Sequence, residues 1–283
     1  MTSFQRGLKR TIIVLVYLLL LSLLGTAFYF LLRTEPTCTD GKLNQGEEKV
    51  DCGGPCPKCE EIPKIENAQI LEKSIIPSGT NKYDALVKIK NPNSLFGIER
   101  LEYSFSFLDA DGKIIGQKEG VSFLLPAETK YIFAFNMNLD KKPALIDFRV
   151  KSYKWQKFSG YEEPNIALYQ KEFSFISGGP GFAELKLKIQ NKSGYDFRKI
   201  TTRAVLRDRQ GNPLAINETN NNDVRVNEER EVIFRWSEPF SQDIDIQNIE
   251  VEAEANVFDE ENFMKKYGSP EQYKSYDYEL NGN

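Results

Sequence analysis

Apolar and polar positions divide the chain into two regimes. From Ile12 to Leu32 the run IIVLVYLLLLSLLGTAFYFLL carries no charge, and at 1.5 Å per helical residue it reaches roughly 30 Å, the depth of a bilayer's hydrocarbon layer. From about Ile65 onward, short runs alternate apolar with polar residues and are broken by Asn, Asp, Gly and Pro. A period of two belongs to strands with one buried face. With turn signals roughly every 8–12 residues and few helical stretches, the pattern predicts antiparallel β-sandwiches.

Laid on itself at an offset of about 100 residues, the second regime matches. Ala85 to Asn91 corresponds to Glu184 to Asn191, each a strand ended by Asn. Tyr103 to Phe107 with Asp109-Ala110-Asp111-Gly112 corresponds to Thr202 to Leu206 with Asp208-Arg209-Gln210-Gly211. Both read as hairpins, because Asp bonds its own backbone and Gly takes a positive φ. Leu124 to Glu128 before Tyr131 to Phe135 corresponds to Arg225 to Glu229 before Val232 to Trp236, and Ile146 to Val150 corresponds to Gln247 to Val251. The expected cores are Val87, Ile89, Tyr103, Phe105, Phe107, Ile132 and Val150 in the first copy, and Leu185, Leu187, Ile189, Val205, Ile233 and Val251 in the second. Trp155 and Trp236 read as core or interdomain packing. The chain divides into an N-terminal segment (1–11), a transmembrane helix (12–32), a Cys-rich module (33–61), a first sandwich (62–156), a linker (157–164), a second sandwich (165–258) and a flexible Tyr-rich tail (259–283).

Charge orients the apolar helix. Arg6, Lys9 and Arg10 precede it, whereas Arg33 is soon offset by Glu35. The positive-inside rule therefore puts the N-terminus in the cytoplasm and all that follows residues 12–32 outside. Gly25-Thr26-Ala27 would suit cleavage of a secretory signal, but Phe28 to Leu32 continues the apolar run past it, which favours an uncleaved anchor.

Two compositional facts narrow the chemistry. The chain has no histidine, which removes imidazole bases, His-containing zinc sites and imidazole pH switches. A net charge of -4, with Lys and Asp/Glu interspersed, argues against nucleic acid as a partner. Asn191 and Asn217 lie in N-x-S/T sequons.

The four cysteines, Cys38, Cys52, Cys56 and Cys59, fall in one short window just past the helix. On the oxidising side of a membrane they read as two disulfides, whose pairing the sequence leaves open. A four-thiolate metal site and a redox-active C-x-x-C are the competing readings. Within the window Asp40, Asn44, Glu47 and Asp51 offer oxygen ligands that suit calcium, or form a solvated acidic turn. No other cofactor is called for.

The string Cys38-x-Asp40-Gly41 through Asp51-Cys52-Gly53-Gly54-Pro55-Cys56-x-x-Cys59 resembles a short Cys-rich motif of exported proteins in uncultivated bacterial and archaeal lineages, often placed just after an N-terminal helix. In the first copy, Lys90-Asn91-Pro92-Asn93-Ser94, Phe105 to Gly116 and Leu125-Pro126-Ala127-Glu128 resemble the FxLYD and late-embryogenesis-abundant WHy-type modules. That resemblance implies a seven-stranded immunoglobulin-like fold without catalytic residues, and a role in interaction or stress protection. The second copy departs at Asn191-Lys192-Ser193 and Val226-Asn227. The expected fold class is thus all-β, two tandem immunoglobulin-like antiparallel β-sandwiches behind one transmembrane helix and a small Cys-rich module. The expected function is a non-enzymatic, membrane-anchored binding or scaffold protein with a protein or glycan partner in the envelope. A stress-protective envelope component is the alternative.

Overall fold

The computed structural model describes residues 3–32, 37–39, 41–48, 50–58, 65–158, 163–178, 180–260, 263 and 275–278. They form two compact units, residues 1–64 and 65–283. In the first, helix α1 (Ser3–Leu32) contains the stretch Ile12–Tyr29, which is long and apolar enough to span a membrane and is wholly exposed. Its length and composition meet what one bilayer crossing requires.

The described residues of the second unit form thirteen strands: β1 (Gln69–Gly79), β2 (Lys82–Lys90), β3 (Phe96–Leu108), β4 (Ile114–Leu124), β5 (Thr129–Asn138), β6 (Leu145–Lys157), β7 (Ile166–Phe175), β8 (Ala183–Asn191), β9 (Phe197–Arg207), β10 (Pro213–Val224), β11 (Glu229–Trp236), β12 (Glu250–Glu254) and β13 (Ser275–Tyr278). All strand pairings are antiparallel. The first sandwich sets sheet β1-β2-β5 against β13-β6-β3-β4, and the second sets β7-β8-β11 against β10-β9-β12. Removing β13 leaves the same order of six strands in both halves. Each repeat thus brings six strands, not the seven implied by the family resemblance. β13 adds a fourth strand to the first sandwich's second sheet by pairing Ser275 to Tyr278 with Gln156 to Tyr153 of β6.

The repeat extends to individual hydrogen bonds. Asn91 and Asn191 are fully buried. The Asn91 amide donates to the carbonyls of Phe96 (2.6 Å) and Leu125 (2.9 Å), and its Oδ1 accepts from Asn93 N–H. Asn191 donates to Tyr195 (2.9 Å) and Val224 (3.3 Å), and accepts from Ser193 N–H. The two hairpins also match: Asp109 Oδ1 accepts from Asp111 and Lys113 N–H, and Asp208 Oδ1 from Gln210 and Asn212 N–H. Gly112 and Gly211 both take positive φ, at 77° and 88°. In the β4–β5 and β10–β11 turns, Glu128 accepts from Leu125 N–H and Glu228 from Arg225 N–H. Residue 128 therefore matches 228, one position away from the alignment read in the sequence.

Each sandwich has its own core. Val87, Ile89, Phe105, Phe107, Ile132 and Trp155 fill the first, and Leu185, Leu187, Ile189, Phe197, Phe234 and Trp236 the second. Tyr103, Val150 and Val251 sit at the core margins, partly buried. Four expectations fail. Val205, expected in the second core, faces out of it into a cluster with Leu86 and Tyr131 of the first sandwich. Ile233 is 37% exposed while Val232 and Phe234 are buried, because a run of three apolar residues does not fix the phase of a strand. Phe158, assigned to the linker, is 2% exposed and belongs to the second core with Phe123 and Leu125, its ring edge on that of Phe258. The tail is not flexible throughout. Glu260 accepts two hydrogen bonds from Arg198 N–H, Phe263 is fully buried against Tyr195, and β13 is paired.

Replacing Asn191 by Ala strands two buried carbonyls and one N–H, each loss worth about 1–3 kcal/mol. Urea unfolding of Asn191→Ala is expected to show about 3 kcal/mol less stability than wild type. The same burial closes the Asn191 sequon to glycosylation in the folded chain.

Candidate functional site: the Cys-rich turn and the junction between sandwiches

In the first unit, Cys38 and Cys56 form a disulfide with Cα atoms 5.6 Å apart. Cys52 is also disulfide-bonded, and no described cysteine is free. Cys59 and Asp40 lie outside the described residues. Of the expected calcium ligands, the described carboxylates Glu47 and Asp51 are turned to different backbone partners. Glu47 is buried and accepts from Asn44 and Asp51 N–H at 3.3 and 3.2 Å. Asp51 instead points both oxygens at Gly41 N–H, at 3.0 and 3.1 Å. Among the described residues, the one cluster of ligand-type side chains is Glu47 with Cys38 and Cys56, and both sulfurs there are oxidised and lack the thiolate that binds metal. Glu47 and Asp51 thus staple the turns of a segment too small to own a core.

The charged groups that do converge lie in the second unit, and sequence reasoning did not single them out. The outer face of β1-β2-β5 packs on the outer face of β10-β9-β12. Ile76, Leu86, Tyr131 and Phe133 of the first sandwich form one apolar cluster with Val205 and Ile216 of the second. Alternation places charges beside them on the same faces: Glu72 and Lys88 on β1 and β2, and Arg203, Arg207, Glu218, Glu250, Glu252 and Glu254 on β9, β10 and β12.

Two networks result. In one, Arg207 holds both oxygens of Glu72 at 2.7 and 2.9 Å, bonds Glu250 and donates to the Tyr131 hydroxyl. That hydroxyl donates to Glu250 at 2.7 Å, and Lys88 completes the set at 3.2 Å from Glu250. Two carboxylates face two cations. In the other, Arg203 reaches Glu218 at 2.6 Å, Glu254 at 2.8 Å and Glu252 at 3.3 Å. Lys130, 2% exposed, sits 2.8 Å from Glu254 and 3.5 Å from the Phe123 ring centroid. Glu252 accepts from Tyr131 N–H at 2.9 Å, so a side chain of one sandwich caps the backbone of the other. Burial pushes Glu252 up to about 7, with Arg203 only partly opposing. Burial also raises Glu128, but at Glu254 the same burial is outweighed by Lys130 and Arg203 and the carboxyl is lowered.

Beside this network a cleft of about 740 Å³ opens, lined by residues such as Tyr103, Lys118, Lys199 and Asp259. A smaller groove of about 360 Å³ lies between Phe135 and Asp84 of the first sandwich and Trp236 and Phe240 of the second. Burial raises the Asp84 carboxyl, yet Asp84 already accepts from Asn136 N–H at 2.8 Å and so secures the irregular end of β5, where Asn136 has a φ of 57°. Trp236 donates its indole N–H to the Ile216 carbonyl and is core. The half-buried Asn217 amide is bonded to the Arg235 carbonyl.

The chain matches no protein-family model and no curated relative.

Removing one member of a buried ion cluster leaves uncompensated charge and costs about 3–5 kcal/mol, whereas an exposed pair contributes under about 1 kcal/mol. Arg203→Met is therefore expected to lower stability to chemical denaturation by about 3 kcal/mol or more. Arg149→Met, which breaks an exposed pair with Asp147, should change it by less than about 0.5 kcal/mol.

Proposed function

We propose that this chain is a membrane-anchored, extracytoplasmic binding or scaffold protein without catalytic activity, which holds two immunoglobulin-like sandwiches in one fixed arrangement for a protein or glycan partner in the envelope. The observation that carries this reading is the junction. The richest set of titratable side chains among the described residues of the second unit is engaged in ion pairs and backbone caps between two sheets. A constellation of that kind fixes geometry and register; a catalytic group needs a reactive atom within reach of a substrate.

In this reading α1 crosses the membrane once, with Arg6, Lys9 and Arg10 on the cytoplasmic side. The disulfides of the Cys-rich turn support the same polarity, because such bonds persist in oxidising compartments.

Photo-crosslinking in native membranes, with probes on the exposed edges of either sandwich, is expected to yield a discrete protein or glycan adduct. A reporter fused after Asn283 should be active only outside the cytoplasm, and the cysteines should react with a maleimide only after reduction. A cytosolic reporter ends the topological half of the proposal. Crosslinking that recovers no adduct ends the binding half.

A further inference from the structure

The two junction networks differ in charge balance, and the internal repeat shows why. In the second sandwich Glu228 and Arg230 pair with each other at 2.6 Å within one turn, and Arg230 together with the Arg225 N–H holds Glu228 below the usual carboxylate range. Their counterparts in the first sandwich are Glu128 and Lys130. There Lys130 has turned away to Glu254 of the other sandwich, and Glu128 accepts from the Leu125 N–H instead. Recruiting that lysine across the junction leaves four carboxylates, Glu128, Glu218, Glu252 and Glu254, around two cations, Lys130 and Arg203. The neighbouring network of Glu72, Glu250, Lys88 and Arg207 is balanced.

An excess of negative charge in partly desolvated surroundings is relieved by a counter-ion or by a proton. A chelated cation does not fit, because among the described residues no three carboxylate oxygens of this network come within 4.8 Å of one another. The other groups facing it do not neutralise it either. Phe123 offers a ring face to Lys130, Tyr131 offers one N–H, and Tyr103 is a phenol whose burial keeps it protonated. Of the other cations lining the cleft, Lys154 pairs with Glu99 and Arg100 with Glu102, Lys118 donates to the Phe135 carbonyl, and Lys199 shares the wall with Asp259.

We propose that Glu252 takes up a proton as the surroundings turn mildly acidic, so that the docking of the two sandwiches is strongest in acid and weakens through neutrality. Of the four carboxylates, Glu254 is held ionised by two cations, Glu218 is paired with Arg203, and Glu128, although burial raises it too, accepts a charge-stabilising hydrogen bond from Leu125 N–H. Glu252 has the longest of the Arg203 contacts and remains 24% exposed, so a proton can reach it. The sign follows from linkage. A carboxyl shifted up to about 7 from 4.5 binds its proton more tightly in the folded chain. Its contribution is therefore full below the unfolded value and is lost as pH rises through the folded one.

The absence of histidine narrows the test, since no side chain of ordinary pKa other than a free thiol titrates between pH 5.5 and 8 and no described cysteine is free; burial raises Asp84, Glu128 and Glu260 too, and the Glu252→Gln comparison separates Glu252 from them. The full chain in detergent micelles is unfolded with urea at both pH values. A carboxyl moved from 4.5 to about 7 predicts an unfolding equilibrium constant about 30-fold larger at pH 8 than at pH 5.5. Glu252→Gln, which mimics the neutral acid, should remove most of that dependence. A wild type that is flat or more stable at pH 8, or a Glu252→Gln protein that keeps the wild-type slope, overturns the proposal. Should the variant fail to fold, infrared titration of wild type decides: a protonated carboxyl band lost between pH 6 and 8 supports the proposal, and its absence overturns it.

Discussion

An arginine cannot shed its charge inside a protein, and Arg203 sits where two sheets meet with 10% of its side chain exposed. Everything near it must answer that fixed charge. Glu218 beside it on β10, and Glu252 and Glu254 on the opposite neighbour β12, do so within 3.3 Å, and Glu252 and Glu254 pass the constraint across the junction to Tyr131 N–H and Lys130. Apolar contact among Ile76, Leu86, Tyr131, Phe133, Val205 and Ile216 supplies attraction without direction. The charges supply direction, because a slip of either sheet would leave a carboxylate or a guanidinium buried alone, at about 3–5 kcal/mol.

The repeat shows how one module becomes two different ones. Both halves keep the Asn that ties a strand end to a turn and the Asp-Gly hairpin, since each of these satisfies backbone groups inside its own sandwich. They diverge where they touch. Lys130 replaces Arg230 at the equivalent position, and it reaches Glu254 rather than the neighbouring Glu. Lysine's single charge on a flexible stem suits a buried partner at a distance, while arginine's planar fork suits a carboxylate alongside.

Much of this was readable in the sequence. The sheet cores follow from alternation, and the turns from Asn, Asp and Gly. The junction had a signal that went unused. Tyr131-Ile132-Phe133-Ala134 and Ala204-Val205-Leu206 are unbroken apolar runs, as expected of strands covered on both faces, and they send Tyr131, Phe133 and Val205 outward. The same lack of alternation hid the phase at Ile233. Phe158 and Phe263 were missed because isolated aromatics among polar residues carry no period, although each is buried to within 2%. The ion network was not legible at all. Glu252 and Lys130 are about 120 residues apart, and only the sheet order brings their strands to one surface.

A chain without histidine can sense pH near neutrality only through a group whose surroundings move it there. Burial at the junction does that for Glu252. Disulfides in the first unit do not titrate, the Arg207 network is balanced, and the exposed pairs are screened by solvent. What remains is the surplus that arises when Lys130 serves the opposite sandwich instead of its own turn. The pH sensitivity argued for Glu252 is thus a consequence of the docking itself: the contact that fixes the two sandwiches also creates the surplus of charge that a proton relieves.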